Sequence, residues 1–366
     1  MKNVLLISPG NGNGGIRSWT IKFIDTFPNS DFNLVFEGSF SYRSSKHFEN
    51  TFYRLIDGTR DLASLFFRVR KRLLKHDILI LHTTTSGSFG TLRDFVLMRL
   101  CHLYNVKCIM HCRYGCIKED YKRKSFWGYL LRKTMKEYDQ IWVLDSHSAD
   151  FLKGIDVLTD KVFVTPNSIE VSPRSVIEPK TYKSVAFIGN LVPTKGLFEL
   201  VDAARKLNDS VKLTIAGPGS DDVVQKIKDL SGNLYGDSII YLGRLNNKDV
   251  LSLMEKIDIL ALPTYYPSEG FPISILEAMS KGKMVISCDR AAILDMLTAV
   301  DGSPCGMIVK EKSVDAIVEA IQWCQDNKTD ADEMCKKAYD KAINCYDTKV
   351  VYNLYRSLYN KVLQSN

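Results

Sequence analysis

Two glutamates and a lysine are the residues of this chain best suited to handling a phosphorylated substrate. Glu269 ends a loop rich in Pro, Tyr and Ser, and Glu277 lies eight positions on, inside the apolar run ISILEAM. Pro272 stands where a first helical residue is expected, since its fixed φ suits that position and its missing N–H costs nothing there. The run from Ile273 to Met279 is apolar almost throughout, and Gly282 offers a stop. A helix apolar on all sides is a buried helix, and a carboxylate buried with it needs a partner. Helical rise places Glu277 about 7 Å along the axis from Pro272, roughly the span from a diphosphate at the helix N-terminus to the ribose behind it. Free N–H groups and the macrodipole make such an N-terminus an anion site. A capped core helix with Glu277 at its solvated edge satisfies the same spacing. Lys195 precedes another expected helix, in Gly189-Asn190-Leu191-Val192-Pro193-Thr194-Lys195-Gly196. A cation there is placed to neutralise phosphate; the plain alternative is a surface lysine flanking a helix.

The elements that must hold these residues read as alternating strands and helices. The second half opens on the strand Val185 to Gly189. Strands at Leu213–Ala216 and Ile239–Leu242 end on Gly217-Pro218-Gly219 and Gly243-Arg244. After the glutamate stretch come a strand at Met284–Cys288, a helix at Ala291–Leu297, two helices over 313–346 and a last one over Val350–Leu363. The first half opens on the strand Val4–Ser8, a glycine loop at 10–15 and an amphipathic helix. It continues through a strand at Asn33–Phe36, an irregular polar stretch at 38–60 and a basic helix at Asp61–His76. Strands at Asp77–His82 and Val106–His111, a second basic helix at Lys118–Tyr138, and strands at Ile141–Leu144 and Val162–Val164 complete it. The domains are therefore 1–168 and 184–349, with Ile169–Lys183 as linker and 350–366 packing back on the first.

Three competing chemistries are written into the first half. Gly10-x-Gly12-x-x-Gly15, with Glu37 ending the next strand, fits a dinucleotide fingerprint and hence an oxidoreductase. Cys101, His102, Cys108, His111, Cys112 and Cys116 invite zinc, but their spacings fit no standard finger or knuckle; no metal site is expected. The basic helices carry large apolar residues among their cations, which suits an anionic lipid surface or single-stranded nucleic acid. No nucleic-acid-binding module is discernible.

Composition sets the bounds. The chain has 366 residues, enough for two cores, and no apolar run long enough to span a bilayer. Nine scattered cysteines fit free thiols in a reducing compartment, and MKNVLLISPG is too briefly apolar for a signal peptide, so a cytoplasmic protein is expected. Residues 1–180 carry 27 Lys and Arg against 18 Asp and Glu, and the remainder 22 against 24. All the net basicity lies in the first half, pointing to an acidic surface or substrate there.

EGFPISILEAMSKG resembles the paired-glutamate motif of the retaining GT-B glycosyltransferases of family 4, the glycosyl transferases group 1. The resemblance covers nearly the whole chain, with its specific residues mostly in 185–289. It implies an α/β fold of two Rossmann-like, doubly wound domains facing each other across a cleft. It also implies transfer of a sugar from a nucleotide-sugar to a hydroxyl of a saccharide acceptor, with retention and without a required metal or cofactor. The family's roles fall on Glu269 for the donor sugar, on Gly270, Phe271, Pro272 and Ile273 for the diphosphate, and on Glu277 for the ribose. Pro272 has no N–H, so those amide contacts must come from its neighbours. Lys195 falls on the diphosphate, and Gly14 and Gly15 in GGIRSWTIKFIDTF on the glycine loop facing it. Gly217 and Arg244 match the strand ends around the base. His111 matches a histidine near the donor and acceptor hydroxyls, and so joins Lys195 and Glu269 as a catalytic candidate. Where the family typically has an arginine in the diphosphate clamp, this chain has Asn190; Arg244 is a candidate substitute, and a catalytically inactive nucleotide-sugar binder is an alternative. The expected partners are a nucleotide-sugar, a saccharide acceptor linked to lipid, and an anionic membrane surface at the cytoplasmic face, for surface polysaccharide or glycan synthesis.

Overall fold

The computed structural model describes residues 1–11, 15–28, 30–39, 51–75, 77–172 and 180–365. The chain forms two units, Met1–Asn167 with Val351–Asn366, and Ser168–Val350. Each is built on a parallel six-stranded sheet.

In the first unit the strands are β1 (Lys2–Ser8), β2 (Phe32–Gly38), β3 (Ile78–Thr85), β4 (Lys107–Cys112), β5 (Gln140–Val143) and β6 (Val162–Val164), in the order β2-β1-β3-β4-β5-β6. Strands covered on both faces read as continuous apolar runs, and alternate residues serve opposite layers. Leu5, Ile7, Cys108, Met110, Ile141 and Val143 face one core. Val4, Leu6, Ile109 and Trp142 face the other, which the helix Gly15–Thr26 closes through Trp19 and Phe23. The final helix, Thr348–Gln364, completes that second core with Tyr352, Tyr355 and Tyr359.

The second unit contains β7 (Ser184–Ile188), β8 (Lys212–Ala216), β9 (Ile239–Tyr241), β10 (Ile259–Leu262), β11 (Met284–Ser287) and β12 (Met307–Ile308). Their order is β12-β11-β10-β7-β8-β9. The connections run one way from β7 to β9 and the other way from β10 to β12, so the winding reverses between β7 and β10. In open α/β sheets ligands bind outside the carboxyl ends of the strands at that reversal.

Several expected elements change. Residues 51–60 are not irregular: they form the start of one long helix, Thr51–Lys75, an uninterrupted stretch without proline. The basic segment 118–138 is not one helix but two, Ile117–Lys122 and Phe126–Glu137. Ser125 caps the second by accepting from Gly128 N–H, and a Cβ on Gly128 would stand 2.1 Å from Arg123 O, so the break depends on a glycine there. Pro272 is the N-cap of the helix Ile273–Ser280 rather than its first residue. That helix is not buried all round: Ile273 is exposed, while Ile275, Leu276, Ala278 and Met279 are buried.

Candidate functional site

In the second unit, the loop after β7 carries Asn190 and Lys195, and the loop after β10 carries Glu269. Two backbone features hold these loops together. Tyr265 N–H donates to Thr194 O at 2.9 Å. Gly196 has φ of +74°, and a Cβ there would stand 2.2 Å from Pro263 O, so only glycine permits the approach. Lys195 Nζ consequently lies 3.2 Å from Glu269 Oε2, with both side chains largely buried. The same carboxylate oxygen accepts from Thr264 Oγ1 at 3.2 Å, and Tyr266 N–H donates to that hydroxyl, also at 3.2 Å. Lysine and carboxylate thus meet across the reversal between β7 and β10, on a scaffold of backbone hydrogen bonds.

The neighbouring strand ends are laced together. Gly189 N–H donates to Ala216 O and Gly217 N–H to Gly243 O. Gly217 has φ of +142°, and a Cβ there would lie 1.8 Å from Gly189 O. Asn190 and Arg244 are both exposed at this carboxyl edge. Gly270 O accepts from Ala292 N–H at 3.2 Å, and Phe271 is buried edge-on to Tyr346 at 5.4 Å between centroids. The first turn of the helix Ile273–Ser280 has no side-chain cap, and Glu277 is half-buried on it. Lys195, Asn190, Gly217, Arg244 and the 269–277 stretch therefore all stand at one edge of one sheet or on the loops that leave it.

The first unit holds a second polar cluster, at the carboxyl end of β4. His111 is fully buried, on the face of the strand opposite Cys108 and Cys112. Its Nε2 lies 3.1 Å from Arg113 Nη1, and its Nδ1 3.1 Å from His82 Nε2; His82 Nδ1 is 2.6 Å from Tyr359 Oη. A guanidinium only donates, so His111 Nε2 must accept. Its Nδ1–H then donates to His82, whose own Nδ1–H donates to Tyr359. Arg113 thereby sets the tautomer of both rings. Burial, and then the charge of Arg113, pull His82 down to about 3 and His111 well below the usual histidine range, so both rings are neutral. Both ring nitrogens of His111 are engaged within the unit. Arg113 itself lies against the Trp19 ring, 3.9 Å from its centroid, and also donates to Asn167 Oδ1. No sequence signal marked Arg113: it follows a strand singly, and Trp19, Asn167 and Tyr355 converge on it from elsewhere in the chain.

Gly14 lies outside the described residues, and Gly15 opens the helix Gly15–Thr26. Glu37, the acid of the dinucleotide reading, accepts from Arg68 Nε at 3.2 Å and Arg72 Nε at 2.7 Å. Its carboxylate is thereby taken up by two arginines. Of the zinc candidates, His102 and Cys108 come together with Asp139, their ligand atoms within 4.8 Å of one another. Asp139 is already occupied by Cys108 N–H at 2.7 Å and by Lys107 at 3.4 Å. Among the described residues no other group of His, Cys, Asp and Glu is arranged to hold a metal ion.

Comparison with known proteins points the same way. Residues 168–342 match the family "Glycosyl transferases group 1". An uncharacterised glycosyltransferase of Methanocaldococcus jannaschii is 23% identical over 275 residues, 70% of this chain and 68% of that protein. The N,N'-diacetylbacillosaminyl-diphospho-undecaprenol alpha-1,3-N-acetylgalactosaminyltransferase of Campylobacter jejuni is 25% identical over 64% of this chain and 64% of its own length. Among solved structures, Anabaena HepE in complex with UDP superposes with a TM-score of 0.71 at 15% identity, covering 99% of this chain and all of that one.

Proposed function

Residues 168–342 belong to the glycosyl transferases group 1 and the chain has the GT-B fold, and from that premise we propose that it moves a sugar from a nucleotide-sugar donor to a hydroxyl of a saccharide acceptor. The observation that carries this reading is the Lys195–Glu269 pair at the reversal point of the second sheet. Departure of a nucleoside diphosphate from the anomeric carbon builds negative charge on the leaving oxygen. Lys195 and the free N–H groups at the start of the helix Ile273–Ser280 supply the compensating positive charge. Glu269, held by Thr264, accepts from hydroxyls of the donor sugar and fixes its orientation. Glu277, one turn along the helix from the diphosphate, takes the ribose.

The transfer proceeds with retention and without a required metal, as the family resemblance implies. Asn190 leaves the diphosphate one cation short of the family pattern, and Arg244 is the exposed cation nearest in sequence to the laced strand ends. The bound nucleotide of the Anabaena structure supports a uridine diphosphate sugar as the first donor to test. The Campylobacter relative's name supports an acceptor carried on a polyprenyl diphosphate, and thus a role in glycan assembly at the cytoplasmic face of a membrane.

No helix among the described residues is long and apolar enough to cross a membrane; docking at a membrane surface rests instead on the two basic helices of the first unit. Phe67 and Leu74 are exposed on the helix Thr51–Lys75, in helical register with exposed Arg70, Lys71 and Lys75. Phe126 and Tyr129 are likewise exposed close to Lys122, Arg123 and Lys124. Apolar anchors beside cations suit an anionic leaflet.

The deciding experiment incubates the protein with a panel of nucleotide-sugars and polyprenyl-diphosphate-linked saccharides, with and without a chelator, and assigns the anomeric configuration of the product. A glycoside formed with retention in the presence of chelator supports the whole reading. Donor binding without turnover on any acceptor would leave a nucleotide-sugar binder in its place.

A further inference from the structure

Among the described residues two arginines are buried in the first unit, and only one of them has a counter-ion. Arg93 lies 2.7 Å from Asp94 Oδ1 and donates to Thr84 O. Arg113 is 8% exposed and, among the described residues, has no carboxylate within ion-pair distance. Its neighbours are the neutral His111, Asn167, the Trp19 ring and the phenol of Tyr355. Burial lowers Arg113 to about 10, which still leaves it charged at neutral pH. Tyr355 is pushed up to about 12 by burial and so brings no negative charge. The Arg113 Nε–H, moreover, is buried and has no acceptor among the described residues. A buried charge is retained at a cost unless something pairs with it, and an orphaned buried donor calls for an explanation. Arg113 directly follows β4, so it stands at the carboxyl edge of the first sheet, the edge that takes ligands in open α/β units.

We propose that Arg113 is an anion-recognising residue of the first unit, its Nε–H and uncompensated charge receiving a carboxylate or phosphoryl oxygen of the acceptor. The inference rests on the transferase reading, in which Lys195, Glu269 and Glu277 of the second unit hold the donor's diphosphate, sugar and ribose and the acceptor lies on the first. Trp19 stacked on one face and His111 and Asn167 on the Nη edge fix the plane of the guanidinium, so that one donor edge is left over. A planar fork held in this way suits an oxyanion better than a neutral hydroxyl. The surplus of cations in residues 1–180 favours the same acidic partner.

The test uses the full chain and inorganic phosphate and glucuronate as probes, against chloride at matched ionic strength. Arg113→Gln removes the charge; Asn167→Asp, of nearly the same shape, places a carboxylate on Arg113 in its stead. Either probe should raise the melting temperature of the wild type beyond chloride, and both variants should lose at least tenfold in affinity for it. Affinity for UDP, measured by calorimetry, should be unchanged in both variants. Preference for phosphate points to a diphosphate-linked acceptor, and preference for glucuronate to an acidic sugar. A wild type indifferent to both probes overturns the proposal, as does a variant that responds like wild type. A parallel loss of UDP affinity would assign the anion to the nucleotide and overturn the acceptor assignment. A wild type that binds phosphate through Arg113 yet transfers no sugar would refute the transferase reading while the anion site stands. Near-ultraviolet circular dichroism of Asn167→Asp establishes that its loss of binding is not a loss of fold.

Discussion

Lys195 Nζ and Glu269 Oε2 stand 3.2 Å apart on two loops that leave neighbouring strands of the second sheet. Each is the other's counter-ion, and Thr264 holds the carboxylate from a further direction. A diphosphate approaching Lys195 therefore meets a lysine whose position is already fixed by its partner. The ordering of a long flexible side chain has been met in folding and need not be met again at each turnover.

Replacing Lys195 with alanine should remove at least one charge-assisted contact to the leaving group, about 1.5–3 kcal/mol of transition-state stabilisation. Single-turnover rates should fall roughly 10- to 100-fold. Wild-type turnover in the variant would remove Lys195 from the mechanism.

The two glutamates separate in a binding experiment. Glu269→Gln should depress transfer while leaving the affinity for free nucleoside diphosphate nearly intact, because its partner is the sugar. Glu277→Gln should weaken the nucleoside diphosphate itself. Calorimetry giving the opposite pattern would exchange the positions of ribose and sugar.

Gly196→Ala tests the scaffold rather than the chemistry. A left-handed φ costs a non-glycine residue about 1–2 kcal/mol, and the new methyl would also press on Pro263 O. Urea denaturation should show at least that loss, and the residual folded enzyme should turn over more slowly because Lys195 is displaced from Glu269. A variant as stable as wild type would mean that the loops are not held at this point.

The buried histidines predict a stability that depends on pH. His82 is held neutral in the fold, near 3, whereas an unfolded histidine titrates near 6.5. Below about pH 6.5 the unfolded chain binds protons that the folded chain refuses, so stability must decline as pH falls toward 3, by at most about 1.4 kcal/mol per pH unit for each such ring. Above that range the contribution is constant. Denaturation at pH 7.0 and 5.5, where carboxylates change little, should show the decline, and His82→Gln should reduce it. Identical slopes in the two proteins would mean that His82 is accessible to protons in the fold.

Reversing Arg70, Lys71, Lys122 and Lys124 to glutamate should abolish retention on anionic vesicles and leave nucleotide affinity alone. Arg72 is omitted because it serves Glu37 at 2.7 Å. Each basic residue near an anionic leaflet contributes roughly 1 kcal/mol, so salt should release the wild type. Failure of the wild type to sediment with anionic vesicles at low salt ends the docking claim.

Much of this was legible from local pattern. Short apolar runs closed by glycine announced the strands around Lys195, because parallel strands buried on both faces leave no other periodicity. Glu269 and Glu277 could be picked out because their spacing and the helix between them lie within one short stretch. Arg113 and His82 could not, since their meaning depends on Tyr359, Asn167 and Trp19, which are remote in sequence. The helix break at Arg123–Ser125 was present in the sequence as Ser125 and Gly128, but the basic and aromatic residues on either side continue as though it were absent. Glu37 was legible as an acid at a strand end, while the arginines that occupy it come from a helix whose register the sequence left open.

The last helix has a consequence for how the protein is made. Val351, Tyr355, Tyr359 and Val362 pack with Val4, Leu6 and Phe23 in one core. A ribosome delivers the amino-terminal strands first, but their second layer arrives only after the whole of the second unit has been translated. The second unit, whose residues 168–350 are contiguous, can fold on emergence, while the first waits with Phe23, Phe27 and Trp142 uncovered. The order of folding is therefore expected to run opposite to the order of synthesis. A chain stopped at Val350 should retain a cooperative unfolding transition for the second unit, lack one for the first, and engage chaperones that recognise exposed aromatic surface.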